Sequence, residues 1–445
     1  MTSHSFLSRP RMIVSTLSLL LLAGVAGSQV GWAKSWTLDE ALVRVRSANP
    51  DAKAAGARMQ AARAGVEQAR ASWFPKLKLD AGYQAGNRPT MVFMSLLDQR
   101  QYGANFDMNH PSVRDDLEGE ARVEYPIYTG GARSSALDMA RSGETAARYD
   151  WEATAEGLEL EVTKAYYRVH QAREMVSAAR AELAGYQSHL VVAKSKVAAQ
   201  DALRTAVLDL ETRVASAGAD MAAAEASRDL ARGYLRLLLG VGEGVSFEVS
   251  DIVVPLAEPK NAQSGSRKEQ LAMAMKVRQA RAAVGLAESE AKPRVVAFAS
   301  GRSDSGLIDN GNGASWTAGI GMQWDIWSGG ENRARVARAK AMAAEAEAMA
   351  TKQDLAVLFE IRQARLNLDT ARKRIVLADQ AVKSATESLD VTRKRFEEGL
   401  SLSTQLIDSQ STLTSAQVMR AQAGAEEMIS IAVLRHALGL SIRGR

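Results

Sequence analysis

The chain has 445 residues, 46% of them hydrophobic and 24% charged, with no cysteine and 9 prolines. Without cysteine there are no disulfides, thiolate zinc sites, thiol nucleophiles or lipid on an N-terminal Cys. The 56 basic and 51 acidic residues leave a net charge of +5, which gives no reason to propose a nucleic-acid partner, and 5% aromatic content with abundant alanine favours long helices over a β-sandwich.

In chain order, Arg9 and Arg11 precede an apolar run from Met12 to about Ala26, and Gly31-Trp32-Ala33 follows. A basic segment, an apolar segment and small residues make a secretory signal over 1–33, cleaved after Ala33, with Gly27 the alternative. The run is shorter than the ~20 residues a spanning helix needs, and no later charge-free run reaches that length. A chain that leaves the cytoplasm with no spanning helix is either soluble or enters a membrane as β-strands.

The first half, 34–240, opens on a helix and then changes period. Leu77, Leu79, Ala81 and Tyr83 alternate with Lys76, Lys78, Asp80, Gly82 and Gln84, which predicts a strand over about 76–85. Leu117, Ala121, Val123, Tyr125 and Ile127 alternate with Glu118, Glu120, Arg122 and Glu124, predicting a second strand over 117–128. The intervening 86–116, with Met91–Met94 and Phe106, reads as a loop. Proline is then absent from Gly131 to about Ala199. Val162, Val169, Val176, Leu183, Leu190 and Val197 recur every seven residues, with Ala165, Ala172, Ala179, Tyr186 and Ala193 three positions on. That period predicts a long supercoiled helix whose small seam residues admit a close neighbour. A turn near Gln200-Asp201 leads into a second helix over about 203–239, and 241–266 reads as a connector.

The second half, 267–440, repeats the first. Tyr125-Pro-Ile-Tyr-Thr-Gly-Gly131 matches Trp324-Asp-Ile-Trp-Ser-Gly-Gly330 at an offset of 199, which holds without a gap through Leu239-Gly240 and Leu438-Gly439. Strands are expected over 294–303, whose face the sequence leaves unassigned, and over 315–327, with a short turn-rich loop at 304–314. A long helix over 330–398 carries the same heptads from Ile361 to Phe396, and after a turn at Gly399-Leu400 the last helix spans 402–438, leaving a tail at 441–445. Gly399 suits a turn needing positive φ; Gln200 fits less well.

An apolar and a charged strand face would also suit a soluble sheet. Two features favour a membrane barrel: the secretory signal without an apolar helix, and Trp73, Phe74, Tyr125, Tyr128, Trp324 and Trp327 gathered at one level as an aromatic girdle. Four strands leave open edges, so the chain must pool strands with copies of itself.

This arrangement, with its paired Gly-Gly motifs, the opening Trp36-Thr-Leu-Asp-Glu-Ala41 with Asn49-Pro50, and Gly399-Leu-Ser-Leu-Ser-Thr-Gln-Leu-Ile-Asp408, resembles the TolC family of outer-membrane efflux proteins. The resemblance implies a mainly α fold with a membrane β-barrel: a homotrimer pooling twelve strands into one barrel in outer-membrane lipid, on a helical tunnel crossing the periplasm. It implies an export duct of a tripartite efflux or type I secretion system. A periplasmic adaptor (membrane fusion) protein and an inner-membrane transporter of RND, ABC or MFS type would be its partners, with no cofactor, metal, nucleic acid or enzymatic activity. The periplasmic gate would involve Asp408 in an acidic ring. Gln405 stands where a second ring would be, Phe396 at an often-tyrosine position, Ser401 where some members close with arginine, and Asp209 is the first-half counterpart of Asp408. Adaptor docking would fall on the tips: Gln200, Asp201, Leu203 and Arg204, and Gly399, Leu400 and Ser401. The turns Gly130-Gly131 and Gly329-Gly330 would join barrel to helices. The rival is a periplasmic coiled-coil adaptor or scaffold, which would be expected to carry one hairpin between compact β-domains. Gly240-Val-Gly-Glu-Gly244 lacks the lysine and context of a phosphate loop, Tyr166-Tyr167 reads as helix packing, and His170 and His189 as surface residues.

Overall fold

The computed structural model describes residues 35–104, 106–242, 245–259 and 265–442; the expected signal segment, 1–33, lies outside them, as do parts of the connector and tail. A short parallel pair, β1 (Ser35–Trp36) with β4 (Glu248–Val249), ties the start of the chain to the connector. α1 (Leu38–Ala48) begins with a capping box, in which Thr37 and Glu40 satisfy each other's backbone donors. α2 (Pro50–Ala71) starts at Asn49, whose Oδ1 accepts from Asp51 N at 2.7 Å, with Pro50 in the first turn.

The two long helices, α4 (Ala132–Ala198) and α7 (Glu331–Glu397), have 67 residues each, roughly 100 Å at 1.5 Å per residue. Each is followed by a 35-residue helix, α5 (Arg204–Leu238) and α8 (Ser403–Ala437). All four end in the same left-handed turn. After α4, Gln200 N donates to Val197 O and Asp201 N to Lys196 O; after α7, Gly399 N donates to Phe396 O and Leu400 N to Arg395 O. Gln200 therefore takes φ +65 where its counterpart Gly399 has φ +78. The first tip makes its turn without glycine, at a cost of about 1–2 kcal/mol.

β2 (Lys76–Gly86), β3 (Arg114–Tyr128), β5 (Arg294–Ser305) and β6 (Asn312–Gln323) form one antiparallel sheet in that order, leaving β2 and β6 as unpaired edges. β6 stops at Gln323, four residues before the end expected from alternation. Its ladder with β5 ends at Arg294–Gln323, so Trp324–Trp327 have no strand beside them, whereas Tyr125–Tyr128 of β3 still run beside Val295–Ala297. The segment expected to be a loop at 86–116 contains α3 (Pro89–Asp98), with Pro89 in its first turn and Val92, Ser95 and Leu96 buried at helical spacing. On the other side, the turn between β5 and β6 closes through Gly306 N donating to Gly311 O at 2.8 Å.

α6 (Lys268–Ser289) packs between α4 and α7. The main core lies at mid-length, where Leu42 and Val45 of α1 meet Tyr166 and Tyr167 of α4, Leu235 of α5 and Phe247. The connector crosses it as a strap: Tyr167 Oη donates to Val254 O at 2.7 Å, Arg173 binds Val249 O at 2.7 Å, Arg435 of α8 donates to Ala257 O at 2.8 Å, and Arg372 of α7 pairs with Glu258 at 2.8 Å. A second core fills the tip, where Tyr186, Leu210, Phe396, Leu406 and Ile407 bring all four long helices together.

Candidate functional site

Pairing fixes the two faces of the sheet, because residues opposite each other point to the same side. Leu77–Val123–Ala299–Ala318 and Leu79–Ala121–Gly301–Trp316 lie on one side; Lys78–Arg122–Ser300–Thr317 and Asp80–Glu120–Arg302–Ser315 lie on the other. This also assigns β5, whose Val295, Ala297 and Ala299 join the apolar side. A soluble sheet hides its apolar face and wets its charged one. Here the polarity is inverted: Leu79 is 76% and Trp316 81% exposed, while Glu118, Glu120, Arg122 and Glu124 are half-buried. An outer surface of this kind in a chain with two open edges matches a lipid-facing wall that needs further strands.

At the end of the sheet nearest the helices, Trp73, Phe74, Tyr125, Tyr128, Trp324 and Trp327 are all exposed. The two halves hold them differently. The Arg133 guanidinium sits 4.5 Å from the Trp73 ring centre, whereas Trp324 Nε1 donates to Ala291 O at 3.1 Å. The turns beneath are superposable in backbone: Gly130 and Gly131 have φ +63 and +94, Gly329 and Gly330 +63 and +93. A side chain at Gly130 would also meet Ser289 O at 2.8 Å.

At the opposite end of the sheet, Gln99 after α3 donates to Asp115 O and Asp116 Oδ1 at 2.7 and 3.1 Å, and Asp115 accepts from the amides of Leu307 and Ile308. Asp116, Glu118 and Asp304 bring carboxylates within 4.8 Å of one another, and Arg302 binds Asp304 at 2.8 Å and Glu118 at 3.1 Å, so this acidic cluster already holds a cationic partner.

At the helical tips, Leu203, Leu400 and Leu402 are 77, 65 and 69% exposed, next to exposed Gln200, Asp201, Arg204 and Gly399 and half-buried Ser401. Gln405 is exposed in the first turn of α8, and Asp408 and Asp209 are exposed in the second turns of α8 and α5; Ser401 Oγ donates to Gln405 Oε1 at 2.7 Å. Phe396 is separated from them, 4% exposed in the tip core. A cluster not anticipated from the sequence joins α4 to α8. Tyr186 Oη donates to Ile407 O at 3.3 Å, Gln410 fills the space a Cβ at Gly185 would need, and His189 is buried beside Gln410. Burial, with Glu182 alongside, pushes the Tyr186 hydroxyl up to about 12, and burial lowers His189 below the usual histidine range. Its visible signal is Tyr186 itself, the one aromatic in a seam of alanines. His189 and half-buried His170 correct the surface assignment: His170 packs its ring 4.8 Å from Tyr166, and burial lowers it to about 4. Tyr166 and Tyr167 are each 1% exposed.

The sequence profile described as "Outer membrane efflux protein" matches residues 41–241 and 264–440. The chain is 24% identical over 437 residues to outer membrane protein TolC of Vibrio cholerae serotype O1, covering 93% of this chain and 92% of that one. Its fold is similar to the outer membrane protein VceC of Vibrio cholerae (TM-score 0.77, 20% identity, 91% of this chain and 96% of that one). It is also similar to the CmeC outer membrane channel of Campylobacter jejuni (TM-score 0.79, 18% identity, 92% and 86%).

Proposed function

The chain belongs to the outer membrane efflux protein family, and from that premise we propose that three copies close one twelve-stranded barrel and one helical tunnel, through which cargo leaves the periplasm. It is an export duct of the outer membrane that extends into the periplasm. The observation that carries the oligomeric reading is the inverted sheet: its exposed apolar face needs lipid, and its bare edges β2 and β6 need each other's copies. Twelve strands also give Trp324–Trp327 a neighbouring β2 to lie beside.

The duct works passively, without covalent chemistry. A periplasmic adaptor docks on the two tips, where the leucines at equivalent positions, Leu203 and Leu402, stand out of the helical surface. An inner-membrane transporter of the RND, ABC or MFS type delivers the cargo. The α7–α8 tip forms the constriction, with Asp408 from each copy as an acidic ring and the Tyr186–Ile407 hydrogen bond holding α8 against α4 until the partners pull the tips apart. A ring of carboxylates in a narrow opening concentrates cations.

Purified from outer-membrane fractions in detergent, the protein is expected to migrate as a heat-dissociable trimer and to conduct ions in planar bilayers. A soluble, non-conducting monomer would overturn the duct. Asp408→Ala is expected to weaken block by multivalent cations added on the periplasmic side; unchanged block would remove Asp408 from the gate.

A further inference from the structure

The charges on the inner side of the sheet are not mixed but sorted along the barrel axis. Nearest the helices, strand pairing places Lys76, Lys78, Arg122 and Arg294 on that side against the one carboxylate of Glu124. Nearer the outer mouth it places Asp80, Glu120, Glu118, Asp304 and Asp116 against Arg302, and at the rim Arg114, whose charge is taken up by Asp309 of the β5–β6 turn at 2.7 Å. Each zone's minority charge is neutralised inside its own zone: Glu124 by Arg122 at 2.8 Å and Lys78 at 3.9 Å, Arg302 by Asp304 and Glu118. The surplus of three cations (four less one) and that of four anions (five less one) therefore stay apart. The mouth segments add little beyond that pair, since Arg88 and Arg100 nearly balance Asp98, Asp107 and Asp115.

We infer that the barrel lumen is electrically bipolar, basic at its periplasmic end and acidic at its mouth, and that this profile makes the duct rectify small-ion flow. The inference rests on the trimeric duct proposed above, in which every surplus is tripled around one lumen. The mouth is also narrowed from within: α3 approaches so closely that the Asp98 carbonyl leaves no room for a Cβ at Gly313, on the lumenal side of β6. The zone centres are about six residues apart along the strands, roughly 20 Å at 3.3–3.4 Å per residue. That is about twice the screening length of about 10 Å at 0.1 M salt, so the two zones keep separate fields, and many times the ~3 Å at 1 M, where each field shrinks to the wall.

A basic zone fills with anions and an acidic zone with cations. When the outside is positive, cations driven in from the mouth and anions driven out from the base meet inside the barrel and enrich it. When the outside is negative, both are drawn out of the barrel and its middle is depleted. Each sign of ion meets one repelling zone, so the open barrel resists small-ion leakage without a moving part. Lys76, Lys78, Asp80 and Glu120 are thus specificity-determining residues for what crosses.

The test is single-channel current from purified trimers inserted in one orientation in planar bilayers. In symmetric 0.1 M KCl the current is expected to be about twofold or more larger with the outer side positive, the ratio falling towards one at 1 M. Lys76→Gln with Lys78→Gln, or separately Asp80→Asn with Glu120→Gln, cuts one zone's surplus (from three cations to one, or from four anions to two) and is expected to bring the low-salt ratio towards one. Equal currents at both polarities in 0.1 M KCl, or rectification that survives both variants, would overturn the charge profile while leaving the duct intact. A trimer that passes no current at all would remove the duct and the inference together.

Discussion

α4 and α7 are the same helix twice and do opposite jobs. They share length, left-handed glycine entries and end turns. Yet α4 is enclosed by α1, α2, α5, α6 and α8, while α7 touches only α6 and α8 among elements with substantial contact. Equivalent positions show what this does. Tyr167 is 1% exposed and its counterpart Leu366 62%; Leu160 is 9% and Phe359 65%. At the next pair polarity and exposure are crossed: Glu159 is buried and paired to Arg46 at 2.6 Å, whereas Leu358 is 65% exposed. A repeated backbone therefore does not imply repeated packing. The first long helix finishes its core within the chain, and the second leaves an exposed apolar stripe, the surface the proposed trimer would cover.

The largest expected effect breaks this contrast from the enclosed side. Tyr167→Ala removes a fully buried ring and leaves the Val254 carbonyl without its donor, a cost of about 3–5 kcal/mol, read as loss of folded protein in denaturant titration. Leu366→Ala at the matching place is expected to leave subunit folding within about 1 kcal/mol. Next comes the open side: Phe359→Asp is expected to keep the helical signal while weakening trimer association by about 2 kcal/mol per subunit, seen as a lower heat-dissociation temperature on gels. An unchanged temperature would mean that the α7 stripe faces water.

Acid sharpens the same comparison. His170 and His189 are held neutral by burial in α4, whereas α7 has exposed Asp369 and Ser388 at those positions. The native state binds fewer protons than the unfolded chain, so their contribution is complete above pH about 6.5 and declines as pH falls, for His170 towards about 4. His170→Gln with His189→Gln is expected to flatten the fall in stability between pH 7 and 4; an identical pH profile would count against buried neutral imidazoles. The smallest effect is at the tips: Gln200→Gly is expected to stabilise by up to about 1 kcal/mol by relieving a left-handed side chain, and Gly399→Ala to cost about as much, both read from thermal melts.

Much of the architecture was legible because its signals are local. The seven-residue period marks a helix wherever it occurs, the two-residue alternation from Leu77 to Tyr83 and from Trp316 to Met322 marks strands, and the Gly-Gly pairs mark turns needing positive φ. The candidate site was legible only in part. The tip leucines flank turns that the repeat identifies, and Gln405 and Asp408 follow in the helix just after one, but the Tyr186–Ile407 and His189–Gln410 contacts join residues more than 200 positions apart. α3 was obscured by its short apolar run, and the end of β6 by an alternation that continues past its last partner.

By itself the sequence determined the duplication, the element types and the sorting of charged from apolar side chains on each strand, since these depend on periods of two and seven along one segment. Only the tertiary structure decided that β5 joins the apolar side through its partners, that α4 is sealed while α7 is open, and that basic and acidic rows separate along the sheet. Burial and field are relations between segments far apart in the chain, and pairing is what brings those segments together.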